Sequence, residues 1–446
     1  METPPKLVDL MVSKLFEAKP SSISSILDPG CGTGAFIDGI IRWCESHNTE
    51  TPRIVGIESD PKHFDRARSK FANVDSISIK NEDFLVSRVE TYDFIIGNPP
   101  YVPITSLSEK EKESYRALYK TAVGRFDLYL LFFERALQSL KPLGRLVFVT
   151  PEKFLYVETA EPLRRLLSLV QVGEIQLIDE DIFGERVTYP AITTLINRKS
   201  LDETSLNLRN GRAAHAWFPT DGSSWLPHLN GAEAAKGEHF LVDICKRISC
   251  GVATGADSLF VFETIRLPSE LKGFAYPTIA GRELGAAENM FSPNHSMLIP
   301  YDRNGNLLHE TQLGSLLDYL SKPDVRNRLE KRTCVLHKPW YAFHENPPLR
   351  DLLRPKIICK DITQQPHFWV DTNGIVVPRH STYYIVPKDP TMINHIADYL
   401  NSRQACQWLE SHCQRAANGF IRIQSHVLKQ LPIPEKLTKA LLAIAS

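Results

Sequence analysis

Asn98-Pro99-Pro100-Tyr101 is the stretch of this chain best suited to chemistry, and it follows directly on an apolar run, Tyr92-Asp93-Phe94-Ile95-Ile96-Gly97. Each proline ring fixes its own φ, and each forces the residue before it into extended geometry. The Asn98 amide and the Pro99 carbonyl are therefore expected to point the same way. They form a pair of rigid acceptors for a single planar NH2 group, with the Tyr101 ring as a stacking platform beside them. The fitting target is an exocyclic amino group on a flat ring, or an amide. Taken alone, the tetrapeptide reads equally well as a turn after a strand. What surrounds it decides the matter.

Three other apolar runs end in residues of matching character. Leu27-Asp28-Pro29-Gly30-Cys31-Gly32-Thr33-Gly34 follows the first run and opens a helix. Its glycines, Gly30 and Gly32 among them, let backbone approach a ligand without a Cβ in the way. The spacing is G-x-G-x-G rather than the G-x-G-x-x-G of dinucleotide folds, and no G-x-x-x-x-G-K-[ST] loop occurs. Asp28 at the head of the loop would repel phosphate and suits a cationic amino group. S-adenosylmethionine carries an α-amino group and a sulfonium and has no phosphate. Glu58 ends the second run, where an acid can accept from two ribose hydroxyls. Asp83-Phe84 follows the third, where Asp can accept from an adenine amino group and Phe can pack on its face. Ligands of open α/β sheets bind at the carboxyl ends of the strands, and all four features sit there in order.

The elements that must position these residues alternate strand and helix over the first two hundred residues. Strands are predicted at 23–27, 53–57, 76–79, 94–97, 144–149, 174–178 and 191–196, and helices at 35–44, 61–71, 127–140 and 163–169. Repeated βα units predict a doubly wound, largely parallel α/β sheet of Rossmann-like type. Residues 201–240, rich in Asn, Gly, Ser and Pro, read as a linker. Residues 241–446 mix short strands, loops and a helical tail, and read as a second, mixed α+β domain. The 446 residues carry no net charge, but 1–240 hold 28 Lys+Arg against 33 Asp+Glu, and 241–446 hold 24 against 19. The basic surface is thus placed in the second half. Its densest basic run, Arg326, Arg328, Lys331, Arg332 and Lys338, is interleaved with Trp340, Tyr341 and Phe343. That run suits nucleic acid, although for any single one of these residues a solvated helix face is the better reading. Eight scattered cysteines without a Cys-x-x-Cys pair fit reduced thiols in cytoplasm. Cys406, His412 and Cys413 lack a fourth metal ligand, and no metal is expected. No apolar run approaches the ~20 residues that span a membrane, and the start has no basic segment before an apolar core. Neither membrane nor secretory targeting is expected.

With these motifs in hand, the chain resembles the N6-adenine DNA methyltransferases of the TaqI-like type, in the gamma order of motifs. Thr3-Pro4-Pro5 resembles the family's first cofactor motif, Leu27–Ile37 its glycine loop, Val55–Pro61 its ribose acid, Asp83-Phe84-Leu85 its adenine acid and Asn98–Tyr101 its catalytic motif. Phe126-Asp127-Leu128-Tyr129 and Leu143–Pro151 resemble later motifs. Asp181-Ile182-Phe183-Gly184 resembles the motif whose aromatic holds the extruded base, and Gly251–Gly255 with Arg422–Pro434 the C-terminal specificity domain.

The resemblance implies that residues 1–200 form the catalytic domain and 241–446 a target-recognition domain. It implies that Thr3, Asp28, Glu58, Asp83, Phe84, Pro100 and Phe132 contact S-adenosylmethionine. Asn98, Pro99 and Tyr101 would handle the target amino group, and Phe183 would support the base. Double-stranded DNA is the implied partner, with a cognate restriction endonuclease acting on the same site unless the enzyme is solitary. One specificity domain implies a monomer. Enzymes that methylate an RNA base or a protein glutamine share the Asn-Pro-Pro-Tyr chemistry, and a non-catalytic DNA-binding specificity subunit is the non-enzymatic alternative.

Overall fold

The computed structural model describes residues 3–17, 20–21, 23–178, 189–209, 211–229, 239–285, 292–415, 419–435 and 437. The chain divides into two compact units, residues 1–231 and 232–446.

The first unit is built on nine strands: β1 (Ser25–Pro29), β2 (Arg53–Ile57), β3 (Ile77–Lys80), β4 (Tyr92–Gly97), β5 (Leu140–Pro151), β6 (Gln171–Leu177), β7 (Pro190–Ile196), β8 (Thr204–Asn207) and β9 (Ala213–Ala216). Their order is β3-β2-β1-β4-β5-β7-β6-β8-β9. The first five are parallel, and β7 runs antiparallel to both β5 and β6. The central strands are apolar almost throughout because both faces are covered. Successive residues feed two cores. Ile26, Ile54, Ile96 and Val147 pack under one layer of helices, and Leu27, Val55, Ile95 and Phe148 under the other.

The first layer holds α1 (Pro5–Leu15) and α2 (Ala35–Ser46). Proline opens α1, where its missing N–H is no loss, and Leu7, Val8, Met11, Val12 and Leu15 make its buried stripe. α1 meets α2 at Gly39, where an added Cβ would lie 2.3 Å from Val8 Cγ1. α3 (Pro61–Lys70) starts at proline behind an Asp60 cap that accepts from the Lys62 and His63 N–H groups. The other layer holds α4 (Glu109–Leu118), α5 (Leu128–Gln138) and α6 (Glu161–Leu167). Ser108 and Glu111 close a capping box at the start of α4.

The doubly wound sheet is as the sequence predicts, with two corrections. β1 begins at Ser25 rather than Ile23, which is 91% exposed. Residues 201–240 are not simply a connection: β8 and β9 extend the sheet, β8 pairs with β6, and Trp225 is buried against Phe218. Polar composition masked the alternation of Thr204-Ser205-Leu206-Asn207, whose Thr204 and Leu206 point inward.

The second unit is mixed α+β. One four-stranded sheet runs Cys245–Cys250, Thr382–Pro387, Lys356–Lys360, Phe368–Asp371, all antiparallel. Helices Ile393–Leu400 and Arg403–His412 share a core with it through Ile396, Leu400 and Leu409 beside Ile357 and Phe368. A second sheet runs Val261–Glu263, His295–Leu298, Ala275–Ile279, Val377–Pro378. Lys356 is fully buried and pairs with Asp371 at 2.5 Å, while Asp371 also accepts from the Gly374 and Val376 N–H groups. Among the described residues no helix is long and apolar enough to cross a membrane.

Breaking a buried ion pair on one side leaves a charge without its partner, a loss of about 3–5 kcal/mol. Lys356→Met is therefore expected to lower urea-unfolding stability by about that amount, whereas Lys331→Met, at an exposed position, should leave it unchanged.

Candidate active site

The sheet's chain order reverses between β1 and β4, which are neighbours with Ile26 opposite Phe94 and Leu27 opposite Ile95. This switch point brings two strand ends level and opens a crevice between the loops that leave them. On one side is the glycine loop. Gly30 (φ +83°) and Gly32 (φ +56°) adopt the left-handed backbone that glycine allows at little cost. The Gly30 and Cys31 N–H groups donate to the Ile57 carbonyl at 2.7 and 2.9 Å, tying the loop to the end of β2. From that end the Glu58 carboxylate reaches back, accepting from the Gly32 N–H at 2.8 Å and the Asp60 N–H at 2.7 Å. Loop and acid thus hold one another in place.

On the other side Asn98-Pro99-Pro100-Tyr101 leaves β4. The Asn98 Nδ2 donates to Thr3 Oγ1 at 3.2 Å, and the Tyr101 hydroxyl donates to the Val149 carbonyl of β5 at 3.2 Å. The Tyr101 ring meets Tyr129 edge-on at 6.3 Å. Burial pushes the Tyr101 hydroxyl pKa up, so it stays protonated as a donor to β5. No described residue donates to Asn98 Oδ1 or to the Pro99 carbonyl. Two acceptors are therefore left over at this corner.

Both sides line one cavity of about 560 Å³. Of the residues singled out in the sequence, Thr3, Gly30, Gly32, Glu58 and Phe132 line it together with Asn98, Pro99, Pro100 and Tyr101. Asp28, Asp83 and Phe84 are not among its lining residues. Asp28 is fully buried, and neither carboxylate oxygen has a hydrogen-bond partner. Burial, and then the nearby Glu58 charge, raise its carboxyl pKa well above the usual carboxylate range. Asp83 accepts from the Leu85 N–H at 2.9 Å and the Tyr115 hydroxyl at 3.1 Å. Phe84 is buried behind Phe132, ring centroids 5.4 Å apart. Phe183 lies outside the described residues.

Sequence reasoning passed over several contributors. Cys31, Phe36, Ser59, His63 and Arg66 also line the cavity. The Cys31 thiol pKa is pushed up by burial and by the Asp28 and Glu58 charges, so it presents a neutral wall and no nucleophile. Tyr115 on α4 and Tyr119 just after it brace the third strand end, the second through the Leu85 carbonyl. The Ser108-x-x-Glu111 spacing marks that helix.

The basic run of the second unit is largely committed to its own fold. Arg332 is buried and donates to the carbonyls of Leu329, Thr254 and Trp340. Arg326 pairs with Glu330 and lies over Trp340, Lys338 donates to the Phe343 and His344 carbonyls, and Tyr341 and Phe343 are core residues.

Residues 43–183 match the Eco57I restriction-modification methylase family, and residues 305–433 match the TaqI-like C-terminal specificity domain. The first match falls within the chain's first unit and the second within its second. Among its relatives, the Type II methyltransferase M.PaeR7I of Pseudomonas aeruginosa is 25% identical over 94% of this chain and 82% of that protein. M.XhoI of Xanthomonas vasicola is 24% identical over 79% and 70%. M.TthHB8I of Thermus thermophilus is 33% identical over 42% of each chain. Among solved structures, the Type IIL restriction-modification enzyme MmeI in complex with DNA aligns over 99% of this chain and 67% of its own, with a TM-score of 0.65 and 14% identity. That likeness is one of fold, the α/β methyltransferase sheet with an added C-terminal domain.

S-adenosylmethionine is the expected cofactor, and the residues fit it. The glycine loop leaves backbone open to close approach, and Glu58 stands at the cavity wall as an acceptor. The buried Asp28 carboxylate has no partner within the described protein, which suits a cationic ligand nearby.

Asp28 also gives a pH signature. Its folded-state pKa is raised, so the contribution of Asp28 to the stability of the ligand-free protein is fully present below the usual carboxylate range and is lost as pH rises toward the raised value. The loss has a slope of up to about 1.4 kcal/mol per pH unit. Asp28→Asn is expected to flatten that slope in urea titrations run from pH 4 to pH 8.

Proposed function

We propose that the protein is a site-specific DNA methyltransferase that methylates the N6 amino group of an adenine flipped out of duplex DNA. The observation that carries this reading is the pair of unclaimed acceptors, Asn98 Oδ1 and the Pro99 carbonyl, set beside the Tyr101 ring in the cavity that also holds the glycine loop and Glu58. S-adenosylmethionine, when bound, supplies an electrophilic methyl group. Glu58 and the loop of Gly30 and Gly32 would hold it, with Asp28 as the counter-charge behind the loop, Phe132 at the wall and Phe84 packed against Phe132.

An adenine amino nitrogen is a weak nucleophile because its lone pair is delocalised into the ring. Asn98 Oδ1 and the Pro99 carbonyl accept its two hydrogens and favour a pyramidal nitrogen whose lone pair is available. Both acceptors are fixed before the substrate arrives, by the prolines and by the bond to Thr3, so little reorganisation remains for the chemical step. The amino group is out of reach inside a duplex, and the base must leave the stack. Tyr101, its hydroxyl anchored to β5, offers the face on which the base lies, with Phe183 as its second support.

The second unit, as a specificity domain, would select the target sequence. The family match supports a place in restriction-modification, where a cognate endonuclease cuts the same site when it is unmodified. One of the relatives, RM.Eco57I of Escherichia coli, is named a restriction enzyme and methyltransferase. With a single catalytic and a single specificity unit, the protein would act as a monomer on one strand at a time.

Asn98→Ala is expected to lower methyl transfer by about 10²–10³-fold, the loss typical of one preorganised polar contact. S-adenosylmethionine affinity, measured by calorimetry, should stay close to that of the parent. Full turnover in this variant would refute the assigned chemistry. Tyr101→Ala should weaken binding of DNA that carries an extruded adenine analogue by about 1–3 kcal/mol, read by fluorescence titration.

A further inference from the structure

The bond between Thr3 and Asn98 carries an inference that rests on the amino-group reading and deepens it. A carboxamide is nearly symmetric in shape, so a half-turn about its last torsion exchanges Oδ1 and Nδ2 and turns an acceptor into a pair of donors. With Nδ2 toward the cavity, Asn98 would meet the hydrogens of a target amino group with hydrogens of its own. Pro99 and Pro100 stiffen the backbone here, but a proline ring does not reach the side-chain torsion of the residue before it. Some other group has to select the arrangement.

Thr3 is placed to do so. Its Oγ1 lies 3.2 Å from Asn98 Nδ2, and no other described residue bonds that amide. Thr3 is itself buried. It immediately precedes the Pro4-Pro5 start of α1, and α1 is seated on α2 by the close approach of Val8 to Gly39. The hydroxyl oxygen is therefore held by a packed helix rather than by a loose terminus. A threonine hydroxyl can donate as well as accept; in the structure it faces Nδ2, so Oδ1 is the amide atom turned away from Thr3.

We propose that Thr3 is a positioning residue for the catalytic step: its hydroxyl oxygen holds the Asn98 amide nitrogen, so that Oδ1 faces the target amino group. Thr3, 95 residues from Asn98 in sequence, then contributes to turnover as well as to the wall of the cavity.

The test uses the full chain with Thr3→Val, which keeps the shape and removes the hydroxyl, and Thr3→Ser, which restores it. Thr3→Val is expected to lower kcat by about three- to tenfold, the usual yield of one hydrogen bond. Its KM for duplex DNA, its S-adenosylmethionine affinity and its melting temperature should remain near the parent's, and Thr3→Ser should recover kcat. In the ligand-free protein, Asn98 side-chain amide hydrogens, followed by NMR after asparagine-selective ¹⁵N labelling, should exchange with water faster in Thr3→Val than in the parent or Thr3→Ser. An unchanged kcat with only weaker cofactor binding would make Thr3 a cofactor contact and overturn the proposal, as would unchanged exchange at Asn98. If Asn98→Ala is inactive while Thr3→Val is not impaired, the positioning role alone falls. If Asn98→Ala also turns over normally, the amino-group reading falls with it.

Discussion

The pairing of β1 with β4 is the constraint on which the site depends. Because Leu27 lies opposite Ile95, the Asp28 loop and the Asn98 corner leave the sheet at one level. The two strands also approach closely there. A Cβ at Gly97 would stand 3.4 Å from Asp28 Oδ1 and 3.5 Å from Phe148. A one-residue slip would exchange the two faces of the strand, moving Ile95 and Ile96 each into the other's core and carrying the catalytic amide away from the cavity. The cores on both sides therefore fix the register, and the register fixes the distance between the two halves of the site.

That arrangement stores an unfavourable interaction. Asp28 is buried with no hydrogen-bond partner among the described residues, and the Glu58 charge adds to the penalty of burial. A folding core would be better served by an apolar residue at this position. A residue that costs stability and is not explained by packing belongs to function, and here it sits behind the loop where a cationic ligand is expected. The Asn98 corner works the other way: Asn98 and Tyr101 are each tied down by one polar contact, to Thr3 and to β5 respectively, and Asn98 Oδ1 and the Pro99 carbonyl accept from no described residue.

Much of this was legible in the sequence because it is local. A glycine loop, an acid at a strand end and two consecutive prolines act through backbone geometry that neighbours along the chain determine. Gly30, Gly32, Glu58, Asn98, Pro99, Pro100 and Tyr101 line one cavity for that reason. What was missed is long-range. Nothing in Thr3-Pro4-Pro5 announces a bond to Asn98, since that contact exists only once α1 has found Gly39. The bracing of Asp83 by Tyr115 needs α4 folded back over the third strand. β8 was hidden by polar composition, although its inward positions alternate. In the second unit the basic run looked like a binding surface, yet Arg332 spends its guanidinium on carbonyls of its own fold, which charge counting cannot foresee.

The most direct test of the central claim is to identify the product. The protein would be incubated with labelled S-adenosylmethionine and, in parallel, unmethylated duplex DNA, structured RNA and a protein extract, and the modified nucleosides or residues identified by mass spectrometry. The account predicts N6-methyladenine in DNA, confined to one sequence context. Label found only in RNA or in protein would leave the amino-group chemistry of Asn98 standing and contradict the assignment of DNA as the substrate.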